Sequence, residues 1–87
     1  MSKDELTTIP NVGRATARDL RRLGIERPED LRGRDPSELY DRLCLMDGRR
    51  YDPCLLDTFC AAVAFVDGAP ARPWWEFSRE RKQRERA

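Results

Sequence analysis

The 87-residue chain carries 17 basic and 16 acidic side chains, no histidine, and a formal net charge of +1. A chain this short holds one core and one domain, and no run in it approaches the roughly 18 apolar residues of a membrane span. The opening MSKDELTTIP lacks the apolar stretch of a signal peptide, and Cys44, Cys54 and Cys60 are an odd number of thiols, so a cytoplasmic, reducing setting without a membrane partner is expected.

The small total hides an uneven distribution. Residues 1–25 have five basic and three acidic side chains, residues 26–70 have six and ten, and residues 71–87 have six and three. The acidic middle repels phosphate, so any nucleic-acid contact is expected from the N-terminal segment and the tail.

In chain order the pattern predicts an all-α bundle of five short helices. The first covers residues 2–7. Pro10 and Gly13 then bracket a bend of three or four residues that feeds a second helix over residues 14–23. At about 100° per residue, Thr16, Ala17, Leu20 and Leu23 share one side of that helix, and Arg14, Arg18, Arg21 and Arg22 gather on the other. Gly24 supplies a left-handed stop and Ile25 returns to the core. A one-turn helix over residues 28–32 opens on proline and ends at Gly33.

Asp35-Pro36-Ser37-Glu38 is a helix start, with Asp35 expected to accept the Glu38 amide and Glu38 to reach back as in a capping box. That helix runs to Met46 with Leu39, Leu43 and Met46, flanked by Tyr40 and Cys44, as its apolar face, and Gly48 ends it. Asp52-Pro53 repeats the start signal. Residues 55–66 are apolar nearly all round, with Asp57 the one charge, and should form the central buried helix. The connector DGAPARP separates this domain, residues 1–68, from a tail, residues 69–87, whose aromatic start is expected to anchor on the bundle and whose charged end is expected to fray.

The bend before the arginine helix leaves backbone N–H groups without partners, and an anion fits there with help from the helix dipole. The sequence IPNVGRATARDLRRLGI over residues 9–25 resembles the helix-hairpin-helix motif of DNA repair and recombination proteins, a SAM-like arrangement. That family's hairpin usually runs Gly-apolar-Gly, and its amides bind the DNA backbone across the minor groove without reading sequence. Here Val12 and Gly13 match, while Asn11 replaces the first glycine and is the residue next most tolerant of a left-handed backbone.

With residues 27–66 and the Trp74-Trp75 pair, the chain is similar to small bacterial pathogenicity-locus or mitomycin-resistance-like helix-hairpin-helix proteins. The resemblance implies a role in repair, recombination or stress. It also implies DNA contacts at Asn11, Val12, Gly13, Arg14, Thr16, Arg18, Arg21 and Arg22, and allows a monovalent cation on the carbonyls of Thr7, Ile9 and Val12. Gly13→Val is expected to damage the turn.

Each candidate has a plainer alternative. The arginine row is either a solvated helix face or, joined to the hairpin amides, a phosphate site. Cys44, Cys54 and Cys60 read as packing residues before metal ligands or redox sensors, since they lie ten and six residues apart without a CxxC pair or a histidine. Trp74, Trp75 and Phe77 either dock on their own domain, stack on unpaired bases or meet a protein partner. No histidine, activated serine or paired carboxylate supports catalysis, and Asp35, Asp47 and Asp52 read as caps and turn residues. The expectation is a DNA-backbone binder, on duplex or single strand, without enzymatic activity, cofactor or metal; the alternative is a protein-interaction module.

Overall fold

The computed structural model describes residues 5–86, and the side chains of residues 5–85. Four α-helices, α1 Arg14–Arg22, α2 Pro36–Asp47, α3 Pro53–Val66 and α4 Trp74–Arg86, are joined by two 3₁₀ turns, Glu5–Thr8 and Pro28–Leu31. There is no strand among the described residues. The helix expected over residues 2–7 is thus a 3₁₀ turn at Glu5–Thr8, and residues 2–4 of that expectation lie outside the described residues.

Local chemistry sets most boundaries. Gly24, at φ 92°, takes the left-handed turn after α1, and the Ile25 amide donates to the Leu20 carbonyl at 2.9 Å, which closes the helix end and returns Ile25 to the core. Asp35 caps α2 through the Ser37 amide at 2.9 Å, not through Glu38. Glu38 instead faces Arg34 and Arg42 at 3.6 and 3.9 Å, so the expected reciprocal box does not form. Asp52 caps α3 in the same way through the Cys54 amide at 2.8 Å. In both helices proline occupies the first turn, where no amide partner is needed.

One apolar cluster holds the elements together. Leu6, Ile9 and Val12 of the N-terminal segment meet Ala17 and Leu20 of α1 and Leu23 just after it, then Ile25, Leu31, Leu39, Leu43 and Phe59. Helix α3 lies at the centre and packs against α2, α4 and the second 3₁₀ turn, as its nearly all-round apolar surface predicts. Met46 departs from expectation: with Leu45 it stands at the outward end of α2, exposed to solvent.

The C-terminal segment differs most. The stretch expected to fray after its aromatic start is α4, a helix of 13 residues laid along α3. Its anchor is polar. Asp57, almost fully buried within α3, accepts the Ser78 hydroxyl and the Arg81 guanidinium, with Nε at 3.1 Å and Nη2 at 3.2 Å. Arg72 adds a second set of ties, to Glu76 at 2.9 Å and to Glu80, with its guanidinium 4.3 Å above the Phe77 ring.

Candidate nucleic-acid interface

The bend before α1 is built by Asn11 rather than by glycine. Asn11 adopts φ 73°, the only positive φ among the described non-glycine residues, a conformation asparagine accepts more readily than other side-chain-bearing residues. Its side-chain amide then donates to the Arg72 carbonyl at 2.8 Å, so the bend is clasped to the segment leading into α4. Asn11 is therefore half-buried and committed to the fold.

Gly13 carries a different constraint from the one expected. Its backbone is extended, with φ −92° and ψ −174°, and a Cβ built there meets nothing within 4 Å. The turn itself does not demand glycine at this position, so Gly13→Val has room. What the missing side chain leaves is open access to the start of α1.

Val12 is not a surface contact. Its side chain is in the core, and its amide donates to the Ile9 carbonyl at 3.1 Å, closing the turn from inside. The available donors begin one residue later. The amides of residues 13–16 have no hydrogen-bond partner among the described residues, and no side chain caps the helix. They are the orphan donors that every helix start leaves, aimed outward and carrying the positive end of the helix dipole.

Beside them lies a concavity of about 640 Å³ lined by Thr7, Arg14, Ala15, Arg18 and Arg21. Arg14 and Arg18 are exposed and form no ion pair among the described residues, so their charge is available to an incoming anion. The strong amphipathicity of α1 explains the placement: Ala17 and Leu20 are buried, which turns the arginines outward. Thr16 is half-buried at the edge of that apolar face. Ala15, not singled out by sequence, contributes by being small.

Arg22 leaves the row. Its guanidinium pairs with Asp47 at the end of α2 through both terminal nitrogens, and contacts Asp19 at 3.3 Å. Asp47 also accepts the Tyr51 hydroxyl. The arrangement ties α1 to the α2–α3 loop and neutralises Arg22, which becomes a structural residue.

The same network carries a pH signature. Hydrogen bonds from Arg22 first, and from Tyr51 second, hold the Asp47 carboxyl down at about 2. A carboxylate depressed below its unfolded value of about 3.9 stabilises the fold above that value and loses the contribution as pH falls through its folded pKa. Melting temperatures of the wild type and Asp47→Asn should therefore differ at about pH 5 and converge between about pH 4 and about pH 2. Parallel curves through that window would show that the pair contributes nothing.

The cysteines are all unpaired, Cys44 buried and the other two half-buried. An Asp52 hydrogen bond raises the Cys54 thiol pKa and burial raises that of Cys60, both of which disfavour the thiolate. Among the described residues no three histidine, cysteine or acidic side chains are grouped to hold a metal ion, and no helix is long and apolar enough to cross a membrane.

Comparisons with known proteins agree over nearly the whole chain. The family model described as Cdd1, pathogenicity locus, matches residues 2–83. A protein of Streptomyces lavendulae named mitomycin resistance protein McrB is 53% identical over 79 residues, which cover 91% of this chain and 75% of that protein. No solved structure matches. The arginine-faced helix, its clasped bend and the bundle behind them thus belong to a member of the pathogenicity-locus family.

Proposed function

We propose that residues 5–22 act as a helix-hairpin-helix element that grips the DNA backbone without reading sequence and without catalysing a reaction. One observation carries this reading: Arg14 and Arg18, free of carboxylates among the described residues, stand beside the unbonded amides at the start of α1. A phosphate seated there receives backbone N–H groups, the helix dipole and guanidinium charge together. Asn11 and Arg22 support the element from behind. The S. lavendulae relative's name ties that protein to mitomycin resistance, and the same setting is proposed for this chain.

With only two or three cations in the groove, affinity for duplex should be weak, roughly micromolar or weaker at physiological salt. Amide-resolved NMR titration with a short blunt duplex tests the location. The shifts should gather at residues 13–16 and at Arg18. Shifts centred on residues 45–50 would place the contact elsewhere and defeat the reading.

A second reading, a protein-interaction module without DNA binding, draws on Leu45, 82% exposed, beside the half-exposed Met46. Adjacent exposed aliphatic residues at a helix end are a feature of partner surfaces. In that reading, duplex leaves the α1 amides unmoved.

A further inference from the structure

The outward side of α4 carries a feature that the α1 groove does not use. Trp75 is 54% exposed, although an aromatic residue of this size normally buries most of its surface. Trp74, half-buried, meets it edge-on with ring centroids 5.9 Å apart and an interplanar angle of 83°, so the Trp75 indole is braced from one side. Both rings line a shallow cavity of about 380 Å³ whose other walls include Arg79 and Lys82.

The spacing of Trp75, Arg79 and Lys82, four and then three residues apart, places them on one stripe of the helix. Their charge is selective. Arg72 is held by Glu76 and Glu80, and Arg81 by Asp57 and Glu85. Arg79 and Lys82 form no ion pair among the described residues, although Lys82 feels Asp52 at longer range. The helix thus uses the arginines facing its own fold and leaves two cations beside an open indole.

The geometry points to a second contact on α4, in which an unpaired base of single-stranded DNA stacks on Trp75 while Arg79 and Lys82 hold the adjoining phosphates. Stacking accepts any base, because every base offers a π face, and flanking cations supply the backbone attraction. An apolar protein partner would leave Arg79 and Lys82 facing it unpaired, whereas a phosphate-bearing strand satisfies ring and charge together. The choice of DNA rests on the α1 reading; the stacking geometry stands without it. The Asn11–Arg72 clasp also ties the two segments, since Arg14 and Trp75 each follow a clasp residue by three positions.

The test is fluorescence anisotropy of labelled short oligo(dT), and separately of blunt duplex, at low salt. Four proteins are compared: wild type, Trp75→Ala, Trp75→Phe and Arg14→Glu/Arg18→Glu. Trp75→Ala should bind oligo(dT) about tenfold more weakly or worse, Trp75→Phe should keep most of the affinity, and neither should change duplex binding. Circular dichroism verifies the fold, which an exposed position leaves intact. Retention of oligo(dT) binding in both the α1 variant and Trp75→Phe supports the α4 site, even if duplex binding is absent throughout and the α1 reading fails. Wild-type affinity in Trp75→Ala, loss of oligo(dT) binding in the α1 variant alone, or self-association that needs Trp75 with no oligo(dT) binding would each overturn the proposal.

Discussion

Replacing Arg81 by methionine should destabilise the protein by about 3 kcal/mol, the lower end of what breaking a buried ion pair costs. The substitution keeps the length of the side-chain stem and removes its charge. Asp57, with a side chain only 2% exposed, is left with the Ser78 hydroxyl and no cation, in the centre of an otherwise apolar helix. The lower end applies because Arg81 itself remains 18% exposed, so water already softens the interaction. Against a total of about 5–10 kcal/mol for a chain of this size, the loss is large.

Two measurements separate this account from a general loss of helix. Urea unfolding should show the drop in Arg81→Met and recover much of it in Asp57→Asn/Arg81→Met, where the stranded charge is gone and an acceptor for Ser78 remains. Limited trypsin digestion should cut the arginine-rich α4 early in the single variant while residues 5–66 survive. Equal stability of wild type and Arg81→Met would mean that α4 is held by its apolar contacts alone.

Reversing two charges on α1 should act on binding without touching the fold. Arg14 and Arg18 are exposed and unpaired among the described residues, and Glu at position 14, in the first turn of α1, is favoured by the helix dipole, so Arg14→Glu/Arg18→Glu should melt close to the wild type. Duplex affinity should fall on the order of 50-fold at about 0.1 M salt, the consequence of two lost phosphate contacts in counterion release, with added repulsion deepening the loss. Arg22→Glu should do the reverse. It removes the partner of Asp47 and places like charges together, so stability falls before any binding is affected.

Residues 9–25 show how much local chemistry can disclose. The left-handed tolerance of Asn11, the stop at Gly24 and the two-sided pattern of α1 each depend on neighbours within a turn, and each appears in the fold. Asp35 and Asp52 are caps for the same reason, although the choice of Ser37 over Glu38 as donor depends on side-chain geometry that spacing does not resolve. Arg22 could not be separated from Arg18 by periodicity, since its partner Asp47 is 25 residues away.

The order of the C-terminal segment is not written in its own residues. A mostly charged segment has weak helical stability on its own, and its order here depends on Asp57, 24 residues before Arg81. The signal was present in a different place: one carboxylate in a helix apolar nearly all round requires a buried cation or donor, and the arginine-rich tail could supply it. That requirement, and not any pattern within residues 78–86, is the sequence signal for a packed α4 in place of a fraying end. For the candidate site, the amides and Arg14 and Arg18 followed from sequence, whereas the clasp from Asn11 to Arg72 spans 61 residues and could only be seen in three dimensions.

The most direct test of the α1 site is the salt dependence of duplex affinity, measured side by side for wild type and Arg14→Glu/Arg18→Glu. A phosphate cradle predicts that the plot of log K against log salt for the variant is shallower by about 2, one unit for each lost phosphate contact. Equal slopes for the two proteins, or wild-type binding that does not weaken as salt rises, would contradict it.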